Sequence, residues 1–244
     1  MSDAILTETI HYAAGDTQLR GYVARPDDGA QYPGVLVVHE WWGLNDYPRR
    51  RAEMLAAQGY TAMAIDMYGT GTTADSPDDA LGLMQAVLGD TEAGPARFQA
   101  ALQTLRGHAH CNDLPISAIG YCFGGAVVLA MARAGLDLAS VASFHGSLQT
   151  DTPAQPNAVK ARVLVCHGND DAMIPADHVQ EFKKEMTAAN TTYEFVGYDG
   201  AEHGFSNAGA DEKNARFGLP VAYNEAADLD SWSRMLKMLA EVYA

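Results

Sequence analysis

Hydrophobic residues fall into short, continuous runs separated by longer amphipathic stretches from residue 34 onward. The runs at residues 34–39 and 116–121 have the length and apolar character of strands that are covered on both faces. Between the runs, apolar residues recur three or four positions apart, which predicts helices. The alternation therefore predicts a mostly parallel sheet with helices on both faces. The other predicted strands are 60–65, 141–144, 162–166 and 193–196, and the predicted helices are 48–57, 77–88, 96–105, 124–133, 178–189 and 225–243.

The N-terminal part of the chain has a different pattern. Residues 5–12 and 18–24 are rich in strand-forming residues and flank the turn sequence Ala14-Gly15-Asp16. This arrangement predicts an antiparallel hairpin ahead of the parallel strands. Residues 69–76 and 206–222 are rich in Gly, Thr, Asn and Asp, and we expect loops or lids there.

Composition and charge narrow the class of protein. The 244 residues are 48% hydrophobic, which supports a packed core and excludes a disordered chain. We expect one domain over residues 1–244. With 16 basic and 31 acidic side chains the net charge is −15, which repels nucleic acid and anionic lipid. The expected partner is a small molecule, and the expected assembly is a monomer or small homo-oligomer.

Targeting and redox features point to the cytoplasm. The N-terminal residues lack the basic start and apolar stretch of a secretory signal. The longest apolar runs fall far short of the ~20 residues that cross a bilayer. The cysteines Cys111, Cys122 and Cys166 are odd in number, and no two have a short metal-type spacing. We therefore expect a cytoplasmic protein with no membrane segment.

The motif Gly120-Tyr121-Cys122-Phe123-Gly124-Gly125 lies between a predicted strand and a predicted helix. It has the form of a nucleophile elbow, in which glycines allow close backbone approach around a strained nucleophile. The start of the helix would favour the Cys122 thiolate, and the backbone N–H of Phe123 could hold an oxyanion. The alternative is that the glycines only permit tight packing around a buried thiol.

A base and an acid follow later in the chain. Residues 167–175 follow the strand at 162–166 and contain Asp170 and Asp171, and residues 200–205 follow the last strand and contain His203. Both loops should open at the carboxyl ends of the strands, where ligands of open α/β sheets bind. The chain order Cys, Asp, His is that of the α/β-hydrolases. His203 would accept the thiol proton and the carboxylate would orient the imidazole.

Four motifs together resemble the dienelactone hydrolases (carboxymethylenebutenolidases), a family with the α/β-hydrolase fold. They are residues 39–43 (His-Glu-Trp-Trp-Gly), the elbow at 120–125, the segment 171–175 and residues 203–205. The resemblance runs from about residue 5 to the C-terminus. It implies a cofactor-free carboxylic ester or lactone hydrolase that forms a thioester acyl-enzyme. The implied triad is Cys122, His203 and Asp171, because the family places the acid four residues before a proline, with Asp170 as the second choice.

The same resemblance gives roles to residues 40 and 41. It implies that Glu40 pairs with the resting thiol and helps to ionise it when substrate arrives, and that Trp41 supplies a second oxyanion N–H from its backbone. The residues alone show only a carboxylate at the end of a buried strand, which is unusual without a partner. The alternative for Glu40 is an exposed loop acid or a partner in a helix cap.

The substrate end of the predicted site departs from well-known family members. They hold the lactone carboxylate with arginines, one of them four residues after the catalytic histidine, where this chain has Asn207. Arg216, in the loop after His203, could provide another anchor. Dienelactone itself is therefore not the expected substrate. The tentative pocket residues are Trp42, Tyr68, Tyr121, Asn207 and Arg216, and they suit a flat lactone or an aryl or enol ester.

Three other functions compete with this prediction. His39, His145 and His167 each end a predicted strand and could bind zinc, although no paired metal-ligand motif supports a metal site. A glutamine-amidotransferase-like protein also has a cysteine on a strand-to-helix elbow, but its histidine is usually followed two positions later by glutamate, whereas Gly204 and Phe205 follow His203 here. The third alternative is a binding protein that has the pocket without turnover.

Overall fold

The computed structural model describes residues 4–244, which contain eight strands and seven helices. They form two compact units, the first ending at Ala118 and the second covering Ile119–Ala244. The strands are β1 (Ile5–Ala14), β2 (Thr17–Pro26), β3 (Gly34–Val38), β4 (Thr61–Ile65), β5 (Ser117–Tyr121), β6 (Ser140–Phe144), β7 (Arg162–Gly168) and β8 (Tyr193–Tyr198). The helices are α1 (Asp46–Ala56), α2 (Pro77–Leu88), α3 (Ala93–Arg106), α4 (Phe123–Arg133), α5 (Ala176–Ala188), α6 (Ala210–Phe217) and α7 (Glu225–Val242).

The first unit combines the predicted hairpin with parallel strands. Strands β1 and β2 pair antiparallel from Ile5 opposite Pro26 to Ala14 opposite Thr17. The strand order in this unit is β1-β2-β4-β3, with β3 and β4 parallel. Every residue of β3 and β4 is buried, as their continuous apolar runs predict. Asn45 caps α1 by accepting a hydrogen bond from the backbone N–H of Tyr47.

The second unit holds the later strands in the order β5-β6-β7-β8, and β5 itself spans the boundary between the units. The pairs β6–β7 and β7–β8 are parallel. Helix α4 is buried along most of its length, because ten of its eleven residues, 123–132, are apolar or glycine. A buried ion pair joins α4 to α5, with Arg133 donating to both carboxylate oxygens of Glu185 at 2.9 Å.

The predicted loops have different outcomes. Residues 69–76 contain no helix and no strand apart from an isolated bridge between Gly43 and Thr73. Residues 206–222, in contrast, contain helix α6, so the prediction of a loop there is wrong. This helix buries only Ala210, which is why no apolar periodicity marks it. Within residues 4–244, no helix combines the length and apolar character needed to cross a bilayer.

Candidate active site

Cys122 lies at a sharp turn between β5 and α4, where it is the N-cap residue of the helix. Its φ of 53° and ψ of −115° place it in a region that L-residues seldom occupy. Such a conformation costs about 1–3 kcal/mol and is typical of functional turns. The Cys122 side chain is partly exposed, whereas Cys111 and Cys166 are buried. The elbow therefore presents a thiol at the start of a helix, where the helix dipole favours an anion.

The glycines around Cys122 are needed because other backbone comes very close. A Cβ at Gly120 would lie 2.1 Å from the carbonyl oxygen of Gly124. A Cβ at Gly125 would lie 2.8 Å from the Cα of Gly146, the residue that follows His145. Only glycine fits at both positions, so the turn and the start of α4 can pack directly against the neighbouring chain.

The predicted base and acid are in direct contact. Nδ1 of His203 and Oδ2 of Asp171 are 2.8 Å apart, and both residues are buried. The other carboxylate oxygen of Asp171 accepts a hydrogen bond from the backbone N–H of Met173 at 2.8 Å. Asp170 is exposed. Of the two adjacent acids, Asp171 is the one that orients the His203 ring.

The charge state of His203 depends on its neighbours. Burial disfavours the imidazolium, but the charge of Cys122 and the hydrogen bond and charge of Asp171 outweigh it, so the pKa of His203 rises to about 10. Its Nε2 atom is buried and meets no hydrogen-bond partner among residues 4–244. The charge of Cys122 contributes most to the raised pKa of His203, and hydrogen bonds between catalytic groups often become aligned only when substrate binds.

His145 also lies in this region. The sequence suggests only one role for it, that of a metal ligand. It follows β6 with a φ of 41°, is fully buried, and its ring meets the His203 ring edge-on with centroids 5.2 Å apart. Its Nε2 lies 2.8 Å from the hydroxyl of Ser206. His145 therefore packs against the His203 ring and limits its movement. The feature that marks His145 is its positive φ, which is typical of functional sites but cannot be read from the sequence.

Glu40 and Trp41 lie in the first unit, shortly after the end of β3. Glu40 is 6% exposed and directly follows the His39 that ends the predicted strand. Its carbonyl oxygen accepts a hydrogen bond from the backbone N–H of Gly43 at 3.2 Å. The carbonyl oxygen of Trp41 accepts a hydrogen bond from the hydroxyl of Tyr68 at 2.9 Å. The roles of Glu40 and Trp41 in catalysis remain predictions.

The tentative pocket residues have different positions. Trp42 is buried and its ring meets that of Trp41 at 5.1 Å. Tyr121 is also fully buried and stacks on Phe144 at 4.8 Å, so it belongs to the core and does not line an open pocket. Tyr121 is buried because β5 is covered on both faces of the sheet, so side chains on either face of the strand are packed. Phe123 is buried, whereas Tyr68 and Asn207 are partly exposed. Arg216 is exposed, and its guanidinium carbon lies 4.7 Å from the centre of the Phe217 ring.

The strand-end histidines make separate contacts. The Nε2 atom of His39 accepts a hydrogen bond from the backbone N–H of Met67 at 3.1 Å, whereas His145 contacts Ser206. His167 lies beside Phe195, with ring centroids 5.7 Å apart. No group of three or more His, Cys, Asp or Glu side chains within residues 4–244 is arranged to hold a metal ion. The described side chains thus give the zinc alternative no support.

The fold and the strand-to-helix elbow define an α/β hydrolase. The model of the dienelactone hydrolase family matches residues 19–243, so the chain belongs to that family. The chain is 31% identical to a Salmonella typhimurium protein named "Putative carboxymethylenebutenolidase" over 234 residues, 90% of this chain and 82% of that protein. The predicted family and the predicted fold class are both confirmed.

Two solved structures show how closely the fold is shared. The structure of m3DLH is 33% identical, with a TM-score of 0.92, and the match covers 98% of this chain and 99% of the other. A dienelactone hydrolase-like promiscuous phosphotriesterase from metagenomic libraries is 29% identical, with a TM-score of 0.90 and the same coverage. These matches span nearly the whole of both chains, so the likeness extends beyond the elbow motif.

Proposed function

We propose that this protein is a carboxylic ester and lactone hydrolase that uses Cys122 as nucleophile, His203 as acid and base, and Asp171 as the orienting carboxylate. The observation that carries the proposal is the 2.8 Å contact between His203 and Asp171, together with the pKa of His203 that Cys122 and Asp171 raise against burial. A sulfur anion beside an imidazolium is the activated form of a thiol nucleophile.

The first half of the reaction forms the acyl-enzyme. The Cys122 thiolate attacks the carbonyl carbon, a C–S bond forms, and the carbonyl oxygen becomes an oxyanion. In this proposal the backbone N–H of Phe123, the first residue of α4, holds that oxyanion, as the residue after the nucleophile does in such elbows. When the tetrahedral intermediate collapses, the C–O bond to the leaving group breaks, and His203 gives its proton to the departing oxygen.

The second half releases the acid product. Neutral His203 removes a proton from water, and the resulting nucleophile attacks the thioester carbonyl. The C–S bond breaks, the thiolate returns beside the imidazolium, and the carboxylic acid leaves. Asp171 holds the Nδ1 proton of His203 throughout, so that Nε2 remains the atom that exchanges protons.

The family resemblance adds two residues to this scheme. In it, Glu40 pairs with the resting thiol until substrate arrives, and the backbone N–H of Trp41 is the second oxyanion donor. The burial of Glu40 supports a role beyond that of an exposed loop acid.

The proposed substrates are activated esters and lactones without a carboxylate. A thiolate leaves a tetrahedral intermediate more readily than an alkoxide does, so good leaving groups favour product formation. Asn207 stands where the family members discussed above have an arginine, and Arg216 is exposed over Phe217. The net charge of −15 and the three free thiols fit a cytoplasmic enzyme acting on small molecules rather than on nucleic acid.

A substrate panel tests the proposal. Lactones and aryl esters are assayed with untreated enzyme, with iodoacetamide and with a chelator. We expect turnover that iodoacetamide abolishes and the chelator does not change. Loss of activity with the chelator alone would favour the metal alternative, and specific binding without any turnover would favour the binding protein.

A further inference from the structure

A cleft of about 470 Å³ lies in the second unit, between the loop after β7 and the first turns of α5. Asp171 is among its lining residues, so the cleft borders the proposed triad at the acid, whereas Cys122 and His203 are not among its lining residues. The mechanism above makes no use of this space.

A buried histidine whose Nδ1 atom lacks a hydrogen-bond partner among the described residues lines the cleft. His167 is 5% exposed, and its Nδ1 atom has no hydrogen-bond partner among residues 4–244. Burial lowers the pKa of His167 although Asp171 opposes the shift, so the ring is neutral near pH 7. A buried polar atom that is left unpaired is unfavourable, and a ligand oxygen would satisfy it.

Positive charge and apolar surface line the same cleft. Lys183 is a lining residue, and its ammonium lies 4.1 Å from the centre of the Phe195 ring, which also lines the cleft. Helix α5 begins here after Pro175, whose side chain has no oxygen to cap the first turn. The two oxygens of Asp171 are already occupied by His203 and by the N–H of Met173. The remaining lining side chains are mostly apolar, among them Ile174 and Val179.

We infer that this cleft is a second binding site, for a small organic carboxylate. The carboxylate accepts a hydrogen bond from His167 and pairs with Lys183, and its apolar body packs on Ile174, Val179 and Phe195. The acid product of ester hydrolysis belongs to this class of ligand. That choice of natural occupant rests on the proposed function, whereas the site itself does not.

Calorimetric titration with benzoate tests the site on the full chain. We expect Lys183→Met to weaken benzoate binding about tenfold, the loss of one charge-assisted hydrogen bond. Lys184→Met is the matched control, because Lys184 is exposed on the same helix and does not line the cleft. Unchanged affinity in Lys183→Met, or an equal loss in Lys184→Met, would overturn the inference.

A neutral ligand and a second variant complete the test. Benzamide has the same ring and no charge, so it should bind at least about tenfold more weakly than benzoate, and equal binding would contradict carboxylate recognition. His167→Leu should also weaken benzoate binding, and circular dichroism checks that this variant folds. If it does not fold, the result for Lys183→Met alone decides. The assay needs no turnover, so its failure is distinct from failure of the hydrolase proposal, which Cys122 variants test.

Discussion

Two cysteines in the second unit show how position decides the chemistry of a thiol. Cys166 lies inside β7, fully buried, with its sulfur 4.0 Å from the hydroxyl of Tyr198. Burial raises the pKa of Cys166 to about 12, so its thiol stays protonated and unreactive. Cys122 is partly exposed, precedes a helix, and acts on a histidine whose pKa it raises. The comparison supports the proposal that the turn and the helix start, rather than the residue type alone, make Cys122 the nucleophile.

The largest effect should come from removing the Cys122 thiol, with removal of the Cys166 thiol as the control. Cys122→Ala should reduce kcat/KM for an aryl ester at least about 1,000-fold, because no other group can form the acyl-enzyme. Cys166→Ala should leave kcat unchanged, since its thiol is in the core of the sheet. Steady-state kinetics measures both. Comparable losses in the two variants would erase the distinction between the cysteines.

Two adjacent acids allow a matched test of what activates Cys122. Asp171→Asn should lower kcat by about 100-fold to 10,000-fold, because the His203 tautomer is no longer fixed. It should also lower the pKa of His203, measured by NMR of the ring, since Asp171 raises it. Asp170→Asn, at the exposed neighbour, should do neither. The reverse result would assign the acid to Asp170.

The close backbone approach that shapes the elbow at Cys122 can be tested by replacing glycines with alanine. Gly120→Ala should destabilise the protein by about 3 kcal/mol, because the new methyl would collide with the carbonyl oxygen of Gly124. Gly82→Ala, in α2 with open space around it, should stabilise by about 0.5–1 kcal/mol. Urea unfolding measures both. A tolerated Gly120→Ala would mean that the elbow does not require this close approach.

The smallest effect concerns the proposed partner of the resting thiol. Glu40→Gln should slow acylation about tenfold, equivalent to about 1.4 kcal/mol of activation free energy, and leave KM nearly unchanged. Rapid-mixing kinetics separates acylation from binding. A change in stability with unaltered acylation would reduce Glu40 to a structural residue.

The sequence predicts most of the fold because its elements have strong periodicity. Strand β3 and helix α2 lie where apolar runs and a proline at the helix start predict them. Helix α6 could not be predicted, since it buries one residue and lies in a stretch rich in turn-forming side chains. The sequence predicts Asp46 as the cap of α1, whereas Asn45 is the cap in the structure, because Asn and Asp side chains cap helices about equally well.

The candidate site is harder to read than the fold, because its contacts join distant parts of the chain. The elbow glycines and the order Cys, Asp, His are visible as motifs. The contact of His145 with His203 is not, since it depends on a positive φ at His145 and on two loops that meet only in the folded chain. Tyr121 is a case in which the sequence predicts too much. Its position next to Cys122 suggests a pocket residue, whereas its ring lies in the core.

The most direct measurement of the central claim is the site of acylation. The enzyme is mixed with an aryl ester, quenched in acid within the first turnovers, digested and analysed by mass spectrometry. We expect an acyl group on the peptide that contains Cys122, and its accumulation in Asp171→Asn if deacylation becomes slow. An acyl group on another residue, or turnover with no acylated Cys122 at any time, would contradict it.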